Sequence, residues 1–305
     1  MKRGGSRFAL AAWAFLAYLI AVILFGAWVR ISHSGDGCGS NWPTCHGEVL
    51  PTSPSTATVI EFTHRATSAL CGVFGLALLA WSWMRSGWSP VTRLVGLTLL
   101  FIVFEGAIGA GLVLGELVAD DRSPERAIVI ALHLTNTLLL TAFGSLAAWR
   151  SAQPEAGAFL SRRRAAFSVG LAMLVGTAMT GAVTALGDTL FPREVELAPG
   201  LFAAIREDLT PASHFLVRLR IIHPVMAVAA AAYLVWLLES EAGTSRLARA
   251  ALHLVVVQVV IGFANVALSA PAPLQLVHLL LAQCVWIALV LACVDSPPER
   301  RAVPT

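Results

Sequence analysis

Apolar residues run along this chain in eight blocks, at about 8–29, 62–84, 93–115, 128–149, 165–187, 216–238, 247–269 and 275–294. Each is close to the roughly 20 residues that an α-helix needs to cross a hydrocarbon layer. The first block follows Met1-Lys2-Arg3. It is longer than the roughly 7–15 apolar residues of a cleavable leader and lacks a small-residue cleavage site, so it reads as a first span. Gly106, Gly109 and Gly111 in the third block, and Gly262 in the seventh, mark places where helices can approach closely. The pattern predicts an all-α integral membrane protein with eight transmembrane helices.

Composition agrees. Of the 305 residues, 57% are hydrophobic and only 13% charged, against about a quarter charged in soluble domains. The mean hydropathy is +0.76. A net charge of +3 makes no case for nucleic acid as a partner; the partner implied is the lipid bilayer. Lys and Arg then orient the chain. With the N-terminus inside, the inner segments hold Lys2, Arg3, Arg7, Arg85, Arg93, Arg150, Arg162, Arg163, Arg164, Arg246, Arg249, Arg300 and Arg301, which is 13 of the 21 basic residues. This predicts a multi-pass protein of the plasma membrane with both termini cytoplasmic and long outer loops at 30–61, 116–127 and 188–215.

The blocks repeat. Glu105-Gly-Ala-Ile-Gly in the third parallels Gln258-Val-Val-Ile-Gly in the seventh, and Gly26-Ala27 parallels Gly181-Ala182. His64 then corresponds to His223, and His133 to His278. Four spans followed by four in the same order imply two pseudo-symmetric four-helix bundles, residues 1–150 and 151–305, related by rotation about the membrane normal.

His64, His133, His223 and His278 stand in the even spans, each within about two helical turns of the start. All four therefore belong at one depth, near the outer face. Ionisable groups placed there are costly and mark function. Two imidazoles on neighbouring helices of a bundle meet the requirement for axial haem ligation, with the apolar core as a slot for the ring. The sequence thus predicts two haem sites. Of the remaining four histidines, His33 and His46 fall in the first outer loop, His214 precedes span six, and His253 lies near the inner end of span seven.

Arg65, Arg218 and Arg220 accompany these sites, either as contacts to haem propionates or as arginines snorkelling from helix starts. Glu61 is three residues before His64 on the same helical face. It serves either as a helix-start carboxylate or as a proton acceptor in oxidation of a ring substituent. Cys38 and Cys45 share a short polar loop facing an oxidising compartment, as a staple or as an exchanging redox pair. Cys71, Cys284 and Cys293 lie within spans as small apolar residues.

Gly26-Ala-Trp-Val-Arg30, Gly37-Cys-Gly-Ser-Asn-Trp-Pro-Thr-Cys45, Glu61-Phe-Thr-His-Arg65, Ile222-His223-Pro224 and His278 together resemble the haem A synthase family over nearly the whole chain. The resemblance implies oxidation of a haem O methyl group to formyl by successive hydroxylations, giving the haem A of terminal oxidases. It implies His64 and His133 as substrate-haem ligands, Glu61 as the catalytic carboxylate, and a resident haem B on His223 and His278. Cys38 and Cys45 match the family's loop pair. A haem O synthase supplying the substrate, an electron acceptor and a homo-oligomer are the expected partners. The 188–215 loop is longer than the family pattern.

Two other functions use part of these features. A di-haem transmembrane electron-transfer cytochrome needs the histidines but neither Glu61 nor the cysteines. A quinone-linked thiol oxidase uses Cys38 and Cys45 and leaves four intramembrane histidines unexplained. A transporter calls for a pair of broken helices, which the blocks do not display.

Overall fold

The computed structural model describes residues 3–153, 162–192, 206, 208–242 and 245–295. Lys2, Arg300 and Arg301, and most of the 188–215 loop, lie outside the described residues, and so do the side chains of Arg162, Arg163 and Arg164. The helices are α1 (Arg3–Ile31), α2 (Thr56–Ser86), α3 (Pro90–Leu114), α4 (Pro124–Ala152), α5 (Arg162–Leu190), α6 (Ile222–Ala242), α7 (Arg246–Ala267) and α8 (Ala272–Asp295). Among the described residues, eight segments are long and apolar enough to cross a membrane, and no strand occurs. The chain is an all-α, multi-pass membrane protein. Its outer surface carries large apolar side chains, including Val73, Leu76, Val103, Trp236, Val260 and Phe263. In lipid such exposure is favourable, and helices are the form that satisfies every backbone polar group internally.

Local chemistry starts several helices. Ser55, Ser89, Ser123 and Ser245 accept backbone N–H bonds from Thr58, Thr92, Arg126 and Ala248. These are N-caps, and Pro90 and Pro124 follow two of them where a missing N–H costs nothing. Span six differs from the continuous helix expected. It begins with one turn, Phe215–Arg218, passes through a 3-10 turn, Leu219–Ile221, and only then enters α6. Pro224 has no N–H to donate to the carbonyl of Arg220, so the regular ladder cannot run through this point.

α1 packs on α2, α2 on α3, α3 on α4 and α4 on α1, closing a cycle. α5, α6, α7 and α8 close a second. The cycles meet where α1 and α4 lie against α5 and α8. Trp286 of α8 donates its indole N–H to the Leu138 carbonyl of α4 at 2.7 Å, and Thr141 bonds to Gln283 at 3.1 Å. The buried cores follow the same division. Phe8, Phe15, Leu19, Leu78, Ile102 and Leu140 form one, and Phe167, Leu234, Leu238, Val255, Val285 and Leu289 the other.

Candidate functional site

The four histidines sit six to nine residues past the starts of their helical segments at Thr56, Pro124, Phe215 and Ala272. Successive spans alternate in direction, so all four lie at one end of the molecule, the end that also carries the cysteine loop.

In the second cycle the rings of His223 and His278 face each other, with centroids 6.3 Å apart and planes at 87°. A metal–imidazole bond of about 2 Å, plus about 1 Å to each ring centre, puts two ligands of one ion ~6 Å apart. The separation fits an iron porphyrin gripped from both faces. His223 Nδ1 donates to the Thr177 carbonyl of α5 at 3.0 Å, which fixes the tautomer and leaves Nε2 as the lone-pair nitrogen. His278 Nδ1 is buried with no hydrogen-bond partner, while its Nε2 meets the Gln258 amide of α7 at 3.3 Å.

In the first cycle His133 Nδ1 donates to Glu105 Oε1 of α3 at 2.8 Å. Asn136 and Thr137 also bond to the Glu105 carboxylate. His64 Nδ1 is buried and unpartnered, and its ring meets Phe25 edge-on at 5.7 Å. His64, His133 and Glu105 are close enough to interact electrostatically. The described residues contain no group of three or more His, Cys, Asp and Glu side chains placed to hold a bare metal ion. In the second cycle they offer a facing pair of imidazoles.

Glycines let the neighbouring helices reach these rings. A Cβ at Gly26 would lie 3.0 Å from His64 Cε1, at Gly181 2.9 Å from His223 Cε1, and at Gly262 3.1 Å from His278 Cε1. Gly109 faces His133 Nε2 at 3.9 Å. A side chain at Gly181 would force the ring to shift, and at Gly26 and Gly262 it would crowd it, whereas the distance at Gly109 is an ordinary contact.

Glu61 is 4% exposed. Its Oε2 accepts the Cys38 N–H at 2.8 Å, and its Oε1 accepts from Arg65 Nη2 at 2.6 Å and Nε at 3.1 Å. Arg65 Nη1 also donates to the carbonyls of Asn41 and Thr44 at 2.7 and 2.9 Å. Cys38 and Cys45 form a disulfide. Both are fully buried. Thr58 donates to the Gly37 carbonyl at 2.6 Å. A Cβ at Gly37 would fall 2.3 Å from the Ala57 carbonyl carbon, so glycine is what lets the loop lie on the start of α2. A cross-linked loop pinned to a buried ion pair thus lies on the start of α2, one turn before His64.

The other arginines are engaged in different ways. Arg220, where the repeat puts the counterpart of Glu61, pairs with Asp188 at 2.8 Å and Asp208 at 3.7 Å and donates to the carbonyls of Gly187 and Phe191. Arg218 is exposed. Arg30 reaches from α1 across the boundary between the cycles to the Ala185 carbonyl at 2.6 Å, Thr189 and Gln275. Among the other histidines, His214 stacks on Phe191 at 4.8 Å. His253 is exposed and bonded to its own helix at the Arg249 carbonyl. His46 bonds to the Gly37 carbonyl, and His33 lies in a left-handed turn. Cys71 is buried, and Cys284 and Cys293 are half-buried in their helices.

Reading the residues one by one overlooks Glu105, Gln258, Thr177 and Arg30 as site-building groups. The signal for the first two is the repeat itself, since Glu105 and Gln258 open its two copies.

Residues 9–290 match the family described as cytochrome oxidase assembly protein. The chain belongs to that family. Among its relatives, a Thermus thermophilus protein named Protoheme IX farnesyltransferase is 44% identical over 310 residues, covering 97% of this chain and 49% of that protein. The chain thus spans about half the length of this relative. The Heme A synthase of Symbiobacterium thermophilum is 38% identical over 144 residues, 47% of this chain and 44% of that protein. The Heme A synthase of Halalkalibacterium halodurans is 42% identical over 96 residues, 31% of this chain and 32% of that protein. The family match agrees with the resemblance carried by the cysteine loop and the Glu61-Phe-Thr-His-Arg65 motif.

Proposed function

We propose that this protein is a haem A synthase, an oxidoreductase of the plasma membrane that oxidises a methyl group of haem O to formyl. The observation carrying this is the asymmetry between the two histidine pairs. Among the described residues, only the first has a buried carboxylate and a disulfide-closed loop beside it, with Glu61 bonded to the Cys38 amide. At the corresponding position the second has Arg220, paired with Asp188. One site is equipped for chemistry and the other for holding a redox group. The relatives named Heme A synthase support the same reading.

On this reading residues 1–150 form the substrate bundle and 151–305 its pseudo-symmetric partner, with both termini cytoplasmic and the sites near the outer face. His64 and His133 bind the substrate haem O by its iron. His223 and His278 are the ligands of a resident haem B, which supplies one-electron transfer when bound. Each hydroxylation replaces a C–H of the methyl with C–OH; with water as the oxygen source it releases two protons and passes two electrons to an acceptor outside this chain. The second leaves a hydrate that loses water to give the aldehyde. Glu61 accepts the proton released at the reacting carbon, and Arg65, bonded twice to its Oε1, holds the carboxylate in place. The Cys38–Cys45 loop keeps bulk water from the pocket and, if reduced, can pass electrons to an outside thiol carrier. The Thermus relative's name fits a partner that prenylates protohaem and so supplies this substrate.

Supplying haem O to the purified full chain and separating the extracted pigments tests the proposal. Hydroxylated and formyl haem are expected alongside haem B. Recovery of haem B with unaltered haem O would instead favour the di-haem electron-transfer cytochrome.

A further inference from the structure

The two copies of the repeat put different chemistry behind corresponding histidines. In α3, Glu105 holds His133 Nδ1 at 2.8 Å. In α7, Gln258 stands four residues before Gly262, as Glu105 stands four before Gly109, but its neutral amide meets His278 at Nε2, 3.3 Å away, and His278 Nδ1 is buried with no hydrogen-bond partner. Glu105 is itself held by Asn136 and Thr137 of α4, and Asn136 is tied to the Phe101 carbonyl at 2.9 Å. The carboxylate is therefore fixed in azimuth and cannot swing away from the ring. Gln258 Oε1 is buried without a partner, so no comparable network surrounds it.

A carboxylate accepting the N–H of a ligating imidazole fixes the ring orientation and raises its basicity, whereas an N–H without a partner receives no such charge. Hydrogen bonding around the axial ligand is one of the levers by which a protein sets haem potential. Resting on the reading that both histidine pairs hold haem, we propose that Glu105 is a positioning residue that makes His133 the stronger electron donor to its iron, while His278, with no carboxylate on Nδ1, is the weaker one. A carboxylate behind one histidine and none behind the other biases electrons at the substrate-side iron towards leaving it and the resident iron towards accepting them. This direction matches a net oxidation at the first site.

The test is a potentiometric titration of the full chain in detergent, loaded anaerobically with two equivalents of haem B and followed by its visible spectrum. Glu105→Gln should raise the midpoint of one haem by a roughly tenfold change in its redox equilibrium, ~59 mV for one electron, and leave the other in place. Glu105→Asp should recover part of the first shift, which separates the hydrogen bond from general packing. Unchanged midpoints in Glu105→Gln, with both haems bound, would overturn the inference while leaving the proposed function standing. Should Glu105→Gln fail to accumulate, Glu105→Asp alone decides, and unchanged midpoints there overturn it. A wild-type chain that binds no haem would remove the functional reading itself.

Discussion

Arg65→Met removes a guanidinium that serves two masters. In the native protein it bonds twice to Glu61 Oε1, at 2.6 and 3.1 Å, and once each to the carbonyls of Asn41 and Thr44, at 2.7 and 2.9 Å. The side chains of Arg65 and Glu61 are 13% and 5% exposed, so the pair is largely out of water. Methionine keeps the apolar stem but leaves the Glu61 charge with the Cys38 amide as its bonded partner. Breaking a buried pair by deleting one member costs about 3–5 kcal/mol, and the partial exposure of Arg65 puts the change at the lower end. Because the disulfide and α2 persist, the loss falls on the seating of loop 38–46 rather than on the whole fold. At about 1.4 kcal/mol per factor of ten, ~3 kcal/mol corresponds to amide exchange in that loop becoming roughly 100-fold faster. Hydrogen-exchange mass spectrometry on peptides covering Cys38 and His46, with a peptide from α8 as internal control, reads it directly. Loop exchange within twofold of wild type would refute the clamp. So would full additivity of Arg65→Met with Glu61→Gln, because residues sharing an ion pair must couple.

Gly181→Ala puts a methyl 2.9 Å from His223 Cε1. Tilting the ring to admit it should cost about 1–3 kcal/mol, visible as haem loss from the second site on dilution. Arg30→Gln removes the cationic anchor joining α1 to α5 and α8. A loss of roughly 1.5–3 kcal/mol for a hydrogen bond to a charged group should lower the denaturant midpoint without altering helix content. Glu61→Ala should keep its bound haem yet yield no hydroxylated or formyl haem on pigment separation, and normal output would take Glu61 out of the mechanism. His223→Ala should lose the visible absorbance of the resident haem, and an unchanged spectrum would remove that residue as a ligand.

The spans and the four histidines were legible without coordinates for a shared reason. The length of an apolar run is a local property, and a bilayer forces such a run into a helix whatever its neighbours do. A histidine inside such a run stands out by composition, as does the Cys38–Cys45 loop between two runs. Span six exposes the limit: the block was readable, but the 3-10 turn at Leu219–Ile221 depends on how Pro224 interrupts the ladder next to α5.

What the amino-acid order determined by itself was the inventory: eight membrane-length helices, imidazoles at one end of four of them, and a repeat with Glu105 and Gln258 in matching places. The tertiary structure alone decided who touches whom. Glu61 meets the Cys38 amide across 23 residues of chain, and Arg30 meets Ala185 across 155. Helix rotation and the angle between packed helices set those meetings, and periodicity constrains neither when every face of a span is apolar. Glu105 is plain in the sequence as an acid in an oily helix. That it holds His133 follows only once α3 and α4 are packed side by side.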